Sequence, residues 1–251
     1  MGLLFGLLGK SLSHSFSKDF FHKKFLREGI DAVYCNFELS DVAQLFPLIQ
    51  QSPALMGLNV TIPYKQTVMA LLDELSPEAE GVGAVNCIKI VRRGSAIRLV
   101  GHNTDAWGFA RALAQWTLPD AVRALVLGRG GAAKAVCYVL QQQGIPFQIV
   151  SRNPRENQKD FALLGAEDMA RYHLVVNCTP LGMFPQVDAC PPIPYEAIGS
   201  EHFLFDLIYN PVCTKFLLQG QKRGAKVQNG QKMLEEQALA AWNFWNSEDF
   251  V

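Results

Sequence analysis

The sequence predicts an α/β protein in which a mixed or mostly parallel α/β domain is followed by a doubly wound, Rossmann-like domain. Over the first hundred residues, apolar strand-like runs alternate with helix-like stretches, which is typical of a mostly parallel sheet covered by helices on both faces. A second alternating series begins after residue 105. In that series a glycine-rich loop directly follows an apolar strand, which favours a dinucleotide-binding unit.

The predicted elements of the first domain come from apolar periodicity and from turn signals. The predicted strands are residues 3–8, 33–38, 55–60, 87–91 and 96–100, and the predicted helices are residues 15–28, 42–50 and 64–72. The last two strands are joined by Arg92-Arg93-Gly94, so we expect a hairpin at the sheet edge.

The second series begins with a predicted helix over residues 106–116. The predicted strands that follow are residues 123–127, 147–150, 174–177 and 203–206. A final helix over residues 233–245 carries small and aromatic residues at helical spacing.

Composition excludes several classes of partner. The 251 residues suit one large domain or two small ones, and 23 basic residues balance 23 acidic ones, so no strong field attracts nucleic acid or an anionic membrane. The apolar start at residues 2–9 lacks a charged leader region and is better interpreted as a strand. Six cysteines stand singly, without metal-ligand spacing. We expect a reduced, soluble, cytoplasmic protein, monomer or homodimer, with no metal and no nucleic-acid or membrane partner.

Two residues are the candidates for proton transfer. Lys65 follows Pro63 at the predicted start of a helix, where an ammonium is unfavourably placed relative to the helix dipole and the neutral amine of a general base is favoured. Spacing alone fits an ordinary surface lysine as well. Asp105 lies where the first sheet ends and a helix begins, so by itself it fits a plain helix N-cap.

The dinucleotide signal lies in the second series. Gly128, Gly130 and Ala133 fit the G-x-G-x-x-A pattern, in which glycines let the backbone approach a pyrophosphate at a helix N-terminus. After the next strand, where an NAD enzyme places an acidic residue, the chain has Arg152 and Arg155 instead, which suits a 2′-phosphate. NADP is therefore the expected cofactor. Its expected contacts are Gly128, Arg129, Gly130, Gly131, Ala132, Ser151, Arg152, Asn153 and Arg155.

Four short blocks complete the pattern: Ser15-Phe16-Ser17, Asn59-Val60-Thr61-Ile62-Pro63-Tyr64-Lys65, Gly83-Ala84-Val85-Asn86 and Asn103-Thr104-Asp105. With the glycine loop, in this order and from about Gly6 to Trp245, the sequence resembles the shikimate dehydrogenases. That family interconverts 3-dehydroshikimate and shikimate with a nicotinamide cofactor. The blocks that contain Lys65 and Asp105 are highly specific, whereas the glycine loop alone is a weak signal.

The resemblance implies a role for each matched residue. Lys65 and Asp105 form an acid–base pair at the oxidised hydroxyl. Ser15 and Ser17, two apart at a predicted helix start, can bind a carboxylate, although either fits a plain helix cap as well. Thr61, Asn86 and Gln237 supply donors and acceptors for ring hydroxyls, and Tyr209 matches a family position at the carboxylate end. Thr179, Leu207 and Gly230 are added to the cofactor site. The implied domains are residues 1–104, completed by a returning segment 231–251, for the substrate, and residues 105–230 for NADP, with the active site in the cleft between them.

Departures from the family pattern leave alternatives open. Arg129 fills a loop position that is usually small, Cys87 replaces a common threonine, and Ser151 and Asn153 replace the usual neighbours of Arg152. One alternative is a broader quinate/shikimate dehydrogenase that uses NAD or NADP. Another is a non-catalytic shikimate sensor on the same scaffold, which the intact Lys65 and Asp105 disfavour. The four blocks also argue against an unrelated Rossmann protein.

Overall fold

The structure is a computed structural model that describes residues 2–12 and 16–249. The chain divides into two compact units. Unit 1 comprises Met1–Trp107 and Gln237–Val251, and unit 2 comprises Gly108–Glu236. The fold class is the α/β class that the sequence predicts.

Unit 1 alternates strands and helices over most of its length. Its elements are β1 (Leu3–Gly9), α1 (Phe16–Glu28), β2 (Ala32–Glu38), α2 (Leu45–Gln51), β3 (Leu55–Val60), β4 (Glu74–Leu75), α3 (Pro77–Val82), β5 (Cys87–Arg93), β6 (Ala96–His102), the start of α4 (Thr104–Leu113) and most of α8 (Gln231–Asn246). Short 3₁₀ helices lie at Val42–Gln44 and Thr67–Leu71.

In the described part of unit 1 the strands form one six-stranded sheet in the order β2-β1-β3-β5-β6-β4. β1 pairs in parallel with β2 and β3, β4 pairs in parallel with β6, and β5 is antiparallel to β3 and β6. The sheet is therefore mixed. The predicted hairpin is formed by β5 and β6, but it is not at the edge, because the two-residue strand β4 pairs outside β6.

The C-terminal helix α8 packs on one face of this sheet. Trp245 donates from Nε1 to the carbonyl of Ile88 at 3.0 Å, and a side chain at Gly57 would come within 2.4 Å of the same indole. Phe5 stacks on Trp245 with ring centroids 4.9 Å apart, and the Phe21 ring packs against the same indole at a tilt, with centroids 5.4 Å apart. The last turns of α8 therefore complete an apolar layer that begins in the first strand.

The segment predicted as a helix over residues 64–72 differs in the structure. It is a turn followed by the 3₁₀ helix Thr67–Leu71. The carbonyl of Lys65 accepts from the amide of Val85 at 2.7 Å, and the amide of Met69 bonds Gln66 instead. Lys65 therefore does not begin an α-helix, and the helix-dipole argument for it is wrong.

Unit 2, all of whose residues are described, forms a parallel sheet flanked by helices. Its elements are the rest of α4, β7 (Ala124–Leu127), α5 (Gly131–Gln142), β8 (Phe147–Ser151), β9 (Lys159–Asp160), α6 (Ala166–Arg171), β10 (Leu174–Asn177), β11 (Phe203–Asp206), α7 (Lys215–Gln221), β12 (Lys226–Gln228) and the first turns of α8. Short 3₁₀ helices lie at Phe161–Leu163 and Tyr195–Ala197.

The strand order of unit 2 is β12-β11-β10-β7-β8-β9, and every pair is parallel. Counted from β7, this is the 3-2-1-4-5-6 order of a Rossmann fold. In such sheets, ligands bind outside the carboxyl ends of the strands. The loops after β7, β8, β10 and β11 therefore occupy the expected ligand-binding edge.

Within residues 2–12 and 16–249, no helix combines the length and the apolar character that a bilayer crossing requires.

Candidate functional site

The Lys65 and Asp105 side chains form an ion pair. Lys65 Nζ lies 2.5 Å from Asp105 Oδ2. The side chains are 15% and 9% exposed, so solvent screens the pair only weakly while the lysine still reaches the surface. A partly buried ammonium beside a carboxylate can donate a proton to a carbonyl oxygen and, once neutral, can accept one from an alcohol.

Asp105 is positioned by the start of α4. The N-cap of this helix is Asn103, whose Oδ1 accepts from the amide of Ala106 at 3.1 Å. Asp105 is therefore not the cap, and its carboxylate is available to Lys65. Its position in the first turn places the negative charge where the helix dipole favours it.

Asn86 orients Asp105 from the opposite side to Lys65. Its Nδ2 donates to Asp105 Oδ1 at 2.9 Å and to Thr104 Oγ1 at 3.0 Å, while its Oδ1 accepts from the amide of Thr104 at 2.7 Å. Gln237 lies at the rim of this cluster, with Oε1 3.5 Å from Thr104 Oγ1. The structure thus brings together four of the predicted site residues, namely Lys65, Asp105, Asn86 and Gln237.

Ser17 lies in a second hydrogen-bonded group. It is 7% exposed, and its hydroxyl bonds that of Tyr34, which donates to Asn59 Oδ1 at 2.8 Å. Asn59 Nδ2 in turn lies 3.4 Å from the carbonyl of Asn86. Ser17 is therefore connected to the Asn86 cluster through two buried residues that received no role from the sequence. The prediction for Ser15 lies outside the described residues.

Thr61 and Tyr209 complete the predicted substrate set. Thr61 follows β3, and its amide bonds the carbonyl of Leu8 at 2.9 Å. Tyr209 belongs to unit 2, where it is partly buried three residues after β11.

The glycine loop of unit 2 has room for a ligand. Gly128 has a φ of +112°, and a side chain there would approach the carbonyl oxygen of Cys178 to 3.1 Å. At Gly130, the N-cap of α5, a side chain would meet nothing within 4 Å, and no side chain caps the helix. Open space beside the amides of a helix N-terminus fits a pyrophosphate, so the residues present fit a dinucleotide.

The loop after β8 carries the charges expected for a 2′-phosphate. Arg152, Asn153 and Arg155 are exposed, and Ser151 is buried with its Oγ accepting from the amide of Asn153 at 3.2 Å. Arg129 is exposed in the glycine loop of the same unit.

Thr179, Leu207 and Gly230 lie near one another at the same edge of unit 2. A side chain at Gly230 would come within 2.1 Å of the Leu207 carbonyl oxygen, and the Gly230 amide donates to Ile208 O at 3.0 Å. Thr179 Oγ1 donates to Asn177 Oδ1 at 2.7 Å. Asn177 Nδ2 donates to Asp206 Oδ1 at 3.0 Å, which links the loops after β10 and β11.

Sequence reasoning gave no role to Tyr34 and Asp206. Each is buried and bonded to a residue at least 25 positions away. The sequence did contain a signal for Asp206. It is the acidic last residue of an otherwise apolar strand, Phe203–Asp206, where a buried charge needs polar partners.

Comparison with known proteins agrees with the geometry. Residues 7–88 match the family model for the shikimate dehydrogenase substrate binding domain. The shikimate dehydrogenase (NADP(+)) of Caldicellulosiruptor saccharolyticus is 36% identical, over 95% of this chain and 90% of the relative. The Clostridium beijerinckii enzyme of the same name is 39% identical, over 96% and 91%.

Solved structures agree on the whole chain. The Thermus thermophilus shikimate 5-dehydrogenase in complex with NADP(H) and shikimate superposes with a TM-score of 0.85, at 33% identity, over 97% of this chain and 93% of that one. A 5-ketofructose reductase of Gluconobacter shares the fold at 26% identity, with a TM-score of 0.82 over 98% and 93%. The chain belongs to the shikimate dehydrogenase family.

Proposed function

We propose that the protein is a shikimate dehydrogenase that reversibly reduces 3-dehydroshikimate to shikimate with NADPH. The observation that carries the proposal is the 2.5 Å contact between Lys65 and Asp105, because it places a proton donor and its counter-charge in one partly buried site. The glycine loop and the arginines of unit 2 support the nicotinamide cofactor, and the family membership supports the substrate.

Lys65 and Asp105 move the proton as a coupled pair. In reduction the ammonium polarises the ketone oxygen and donates a proton to it, while Asp105 stabilises the positive charge until then. In oxidation the neutral amine accepts the hydroxyl proton. Bound NADPH supplies the hydride.

The polar residues of unit 1 select the substrate. Ser15 and Ser17 are assigned to the carboxylate, and Thr61, Asn86 and Gln237 to the ring hydroxyls. Tyr209, which belongs to unit 2, keeps the carboxylate-end role that the resemblance implies. A site of this kind rejects an analogue that lacks a hydroxyl, since buried polar groups would be left unpaired. Unit 1 is therefore assigned to the substrate.

Unit 2 is assigned to NADP. Gly128, Arg129, Gly130, Gly131 and Ala132 would hold the pyrophosphate. Ser151, Arg152, Asn153 and Arg155 would bind the 2′-phosphate. Thr179, Leu207 and Gly230 would border the nicotinamide. We assign this activity to aromatic amino acid biosynthesis in the cytoplasm.

The test is NADPH formation from shikimate and NADP⁺, with the Lys65→Ala variant beside the unmodified enzyme. We expect the variant to lose about 10²- to 10⁴-fold in kcat, which is the usual contribution of a positioned acid–base group. The matched control is Lys89→Met. Lys89 is a buried lysine of the same sheet whose Nζ bonds the carbonyls of Ser247 and Asp249, so its loss lowers stability and leaves kcat within a few-fold.

The same assay separates the alternatives. Comparable kcat/KM with quinate or with NAD⁺ would support the broad quinate/shikimate dehydrogenase. Shikimate binding without turnover by folded protein would support the sensor and overturn the proposed activity. Equal losses of kcat in Lys65→Ala and Lys89→Met would remove the case for Lys65 as the proton donor.

A further inference from the structure

Asp206 is a fully buried carboxylate that the proposed chemistry does not use. It ends β11 with a side chain that has no exposed surface. Its Oδ1 accepts from Asn177 Nδ2 at 3.0 Å and from the Ile208 amide at 3.1 Å, and its Oδ2 accepts from Thr214 Oγ1 at 2.5 Å. No described lysine, arginine or histidine forms an ion pair with it.

The partners of Asp206 lead directly to the expected cofactor residues. On one side, Asn177 Oδ1 accepts from both the amide and the hydroxyl of Thr179, at 3.0 and 2.7 Å. On the other side, Ile208 stands next to Leu207, and its carbonyl accepts from the Gly230 amide at 3.0 Å. One carboxylate thus joins the loops that carry Thr179, Leu207 and Gly230.

Burial of the Asp206 carboxylate lowers the stability of the folded protein. Burial raises the pKa of Asp206 to about 6, although hydrogen bonds from Thr214, Ile208 and Asn177 oppose the rise. A buried charge without a counter-ion costs stability that a neutral group of the same shape does not. Charged groups buried at a cost to stability are typical of functional sites.

A carboxylate at this position accepts from three donors at once, which an amide cannot do. Three donors converge on its two oxygens, and the donating Thr214 hydroxyl also accepts from the Leu217 amide at 3.4 Å, at the start of α7. An amide in this place would point an N–H group at the Thr214 hydroxyl, so that two donors face each other unless the threonine turns. The loop between residues 206 and 214 would then lose its fixed position.

We propose that Asp206 is a positioning residue for the cofactor, which fixes the loops after β10 and β11 by accepting from Asn177, Ile208 and Thr214 at once. The inference rests on the proposed function, since it concerns the NADP that unit 2 is assigned to bind. It concerns affinity and alignment of the cofactor, not proton transfer.

The test measures NADP⁺ binding by calorimetry for the unmodified protein, Asp206→Asn and Asp168→Asn. Asp168 is the matched control, a poorly exposed carboxylate of unit 2 that pairs with Lys159 at 2.6 Å. We expect Asp206→Asn to raise the Kd for NADP⁺ at least tenfold and to leave the KM for shikimate, at saturating NADP⁺, within twofold. Asp168→Asn should leave both constants within twofold.

Each other outcome decides against the inference. An unchanged Kd in Asp206→Asn overturns it, as does an equal rise in Asp168→Asn, which would indicate general destabilisation of unit 2. If the unmodified protein does not bind NADP⁺, the proposed function fails and this inference fails with it. Should Asp206→Asn not fold, Thr214→Val removes one of the three donors while conserving volume, and it should raise the same Kd at least threefold; no rise would overturn the inference.

Discussion

Both the nitrogen and the oxygen of the Asn86 side-chain amide form hydrogen bonds, which lets Asn86 orient Asp105. The nitrogen donates to the carboxylate of Asp105 and the oxygen accepts from the backbone of Thr104. An asparagine can do both at once because its amide carries a donor and an acceptor. Asp105 thus receives Lys65 on one oxygen and Asn86 on the other, and its orientation is fixed.

Replacing Asn86 by alanine should therefore impair catalysis without unfolding the protein. A hydrogen bond to a charged group contributes about 1.5–3 kcal/mol, so we expect kcat/KM for shikimate to fall roughly 10- to 100-fold. The matched control is Asn36→Ala, since Asn36 is an asparagine of the same sheet that bonds the Leu12 carbonyl at 3.1 Å. Steady-state kinetics checks the prediction, and a loss of less than twofold in Asn86→Ala would contradict it.

At the scale of single residues, sequence patterns identified the residues that stand in family motifs and missed residues outside them. Lys65 and Asp105 stand in short motifs, so their pairing followed from the family resemblance. Asn103 rather than Asp105 caps α4, so the interpretation of Asp105 as a plain N-cap is wrong. Tyr34 and Asp206 received no role from a motif, and only folding brings them to partners 25 and 29 positions away.

Among the elements, the compact apolar runs were predictable and the shortest strands were not. β10 and β11 have the predicted bounds, because each is a compact apolar run. β4, β9 and β12 are two or three residues long and carry charges, so no periodicity marks them. The segment after Pro63 has helical spacing of apolar residues, but the bond from Val85 to the Lys65 carbonyl removes an acceptor that an α-helix would need.

The loop after β8 should decide which dinucleotide binds. Arg152 is exposed and no acidic residue ends β8, so Arg152→Ala removes a charge-assisted contact to the 2′-phosphate. Such a contact contributes about 1.5–3 kcal/mol, and we expect the KM for NADP⁺ to rise roughly 10- to 100-fold while the KM for NAD⁺ stays within twofold.

The control for this loop is Arg171→Ala, an arginine of α6 that lies over the Tyr172 ring and should leave both constants unchanged. Steady-state kinetics with each dinucleotide gives the comparison. An equal rise of KM for NADP⁺ and NAD⁺ in Arg152→Ala would show that the arginine does not discriminate the phosphate.

At the scale of the whole molecule, the fold class predicts the parallel strand pairing of unit 2, whereas the mixed strand pairing of unit 1 results from its hairpin. Alternating strands and helices predict parallel pairing, and unit 2 obeys this at every pair. In unit 1 the short connection between β5 and β6 makes those strands antiparallel, and β3 pairs antiparallel to β5. The role of each unit stays a prediction from the family pattern.

The free energy of unfolding of the protein should depend on pH through the protonation of Asp206. Its pKa rises from 3.8 to about 6 on burial, so the folded protein takes up a proton that the unfolded chain does not yet bind. This group therefore adds stability as the pH falls from 7 to 5, by about 1 kcal/mol. The nearby Cys178 and Tyr195 stay neutral over this range because burial raises their pKa, and Lys215, at the start of α7, is exposed.

Urea unfolding of the unmodified protein and of Asp206→Asn, each at pH 7 and pH 5, isolates the contribution of Asp206 to stability. All other titratable groups are present in both proteins, so their contributions cancel in the comparison. We expect the free energy of unfolding of the unmodified protein to gain about 1 kcal/mol relative to the variant at pH 5. A difference that stays constant between the two pH values would contradict a raised pKa for Asp206.

The return of α8 to unit 1 fixes an order of events during synthesis. The ribosome releases residues 2–107 first, but the indole of Trp245, on which Phe5 and Phe21 pack, is more than a hundred residues behind. Unit 2 is continuous from Gly108 to Glu236 and can finish folding while that apolar layer is still open. Unit 1 thus begins to emerge before unit 2 but is completed after it, and in the meantime its aromatic surface is available to chaperones.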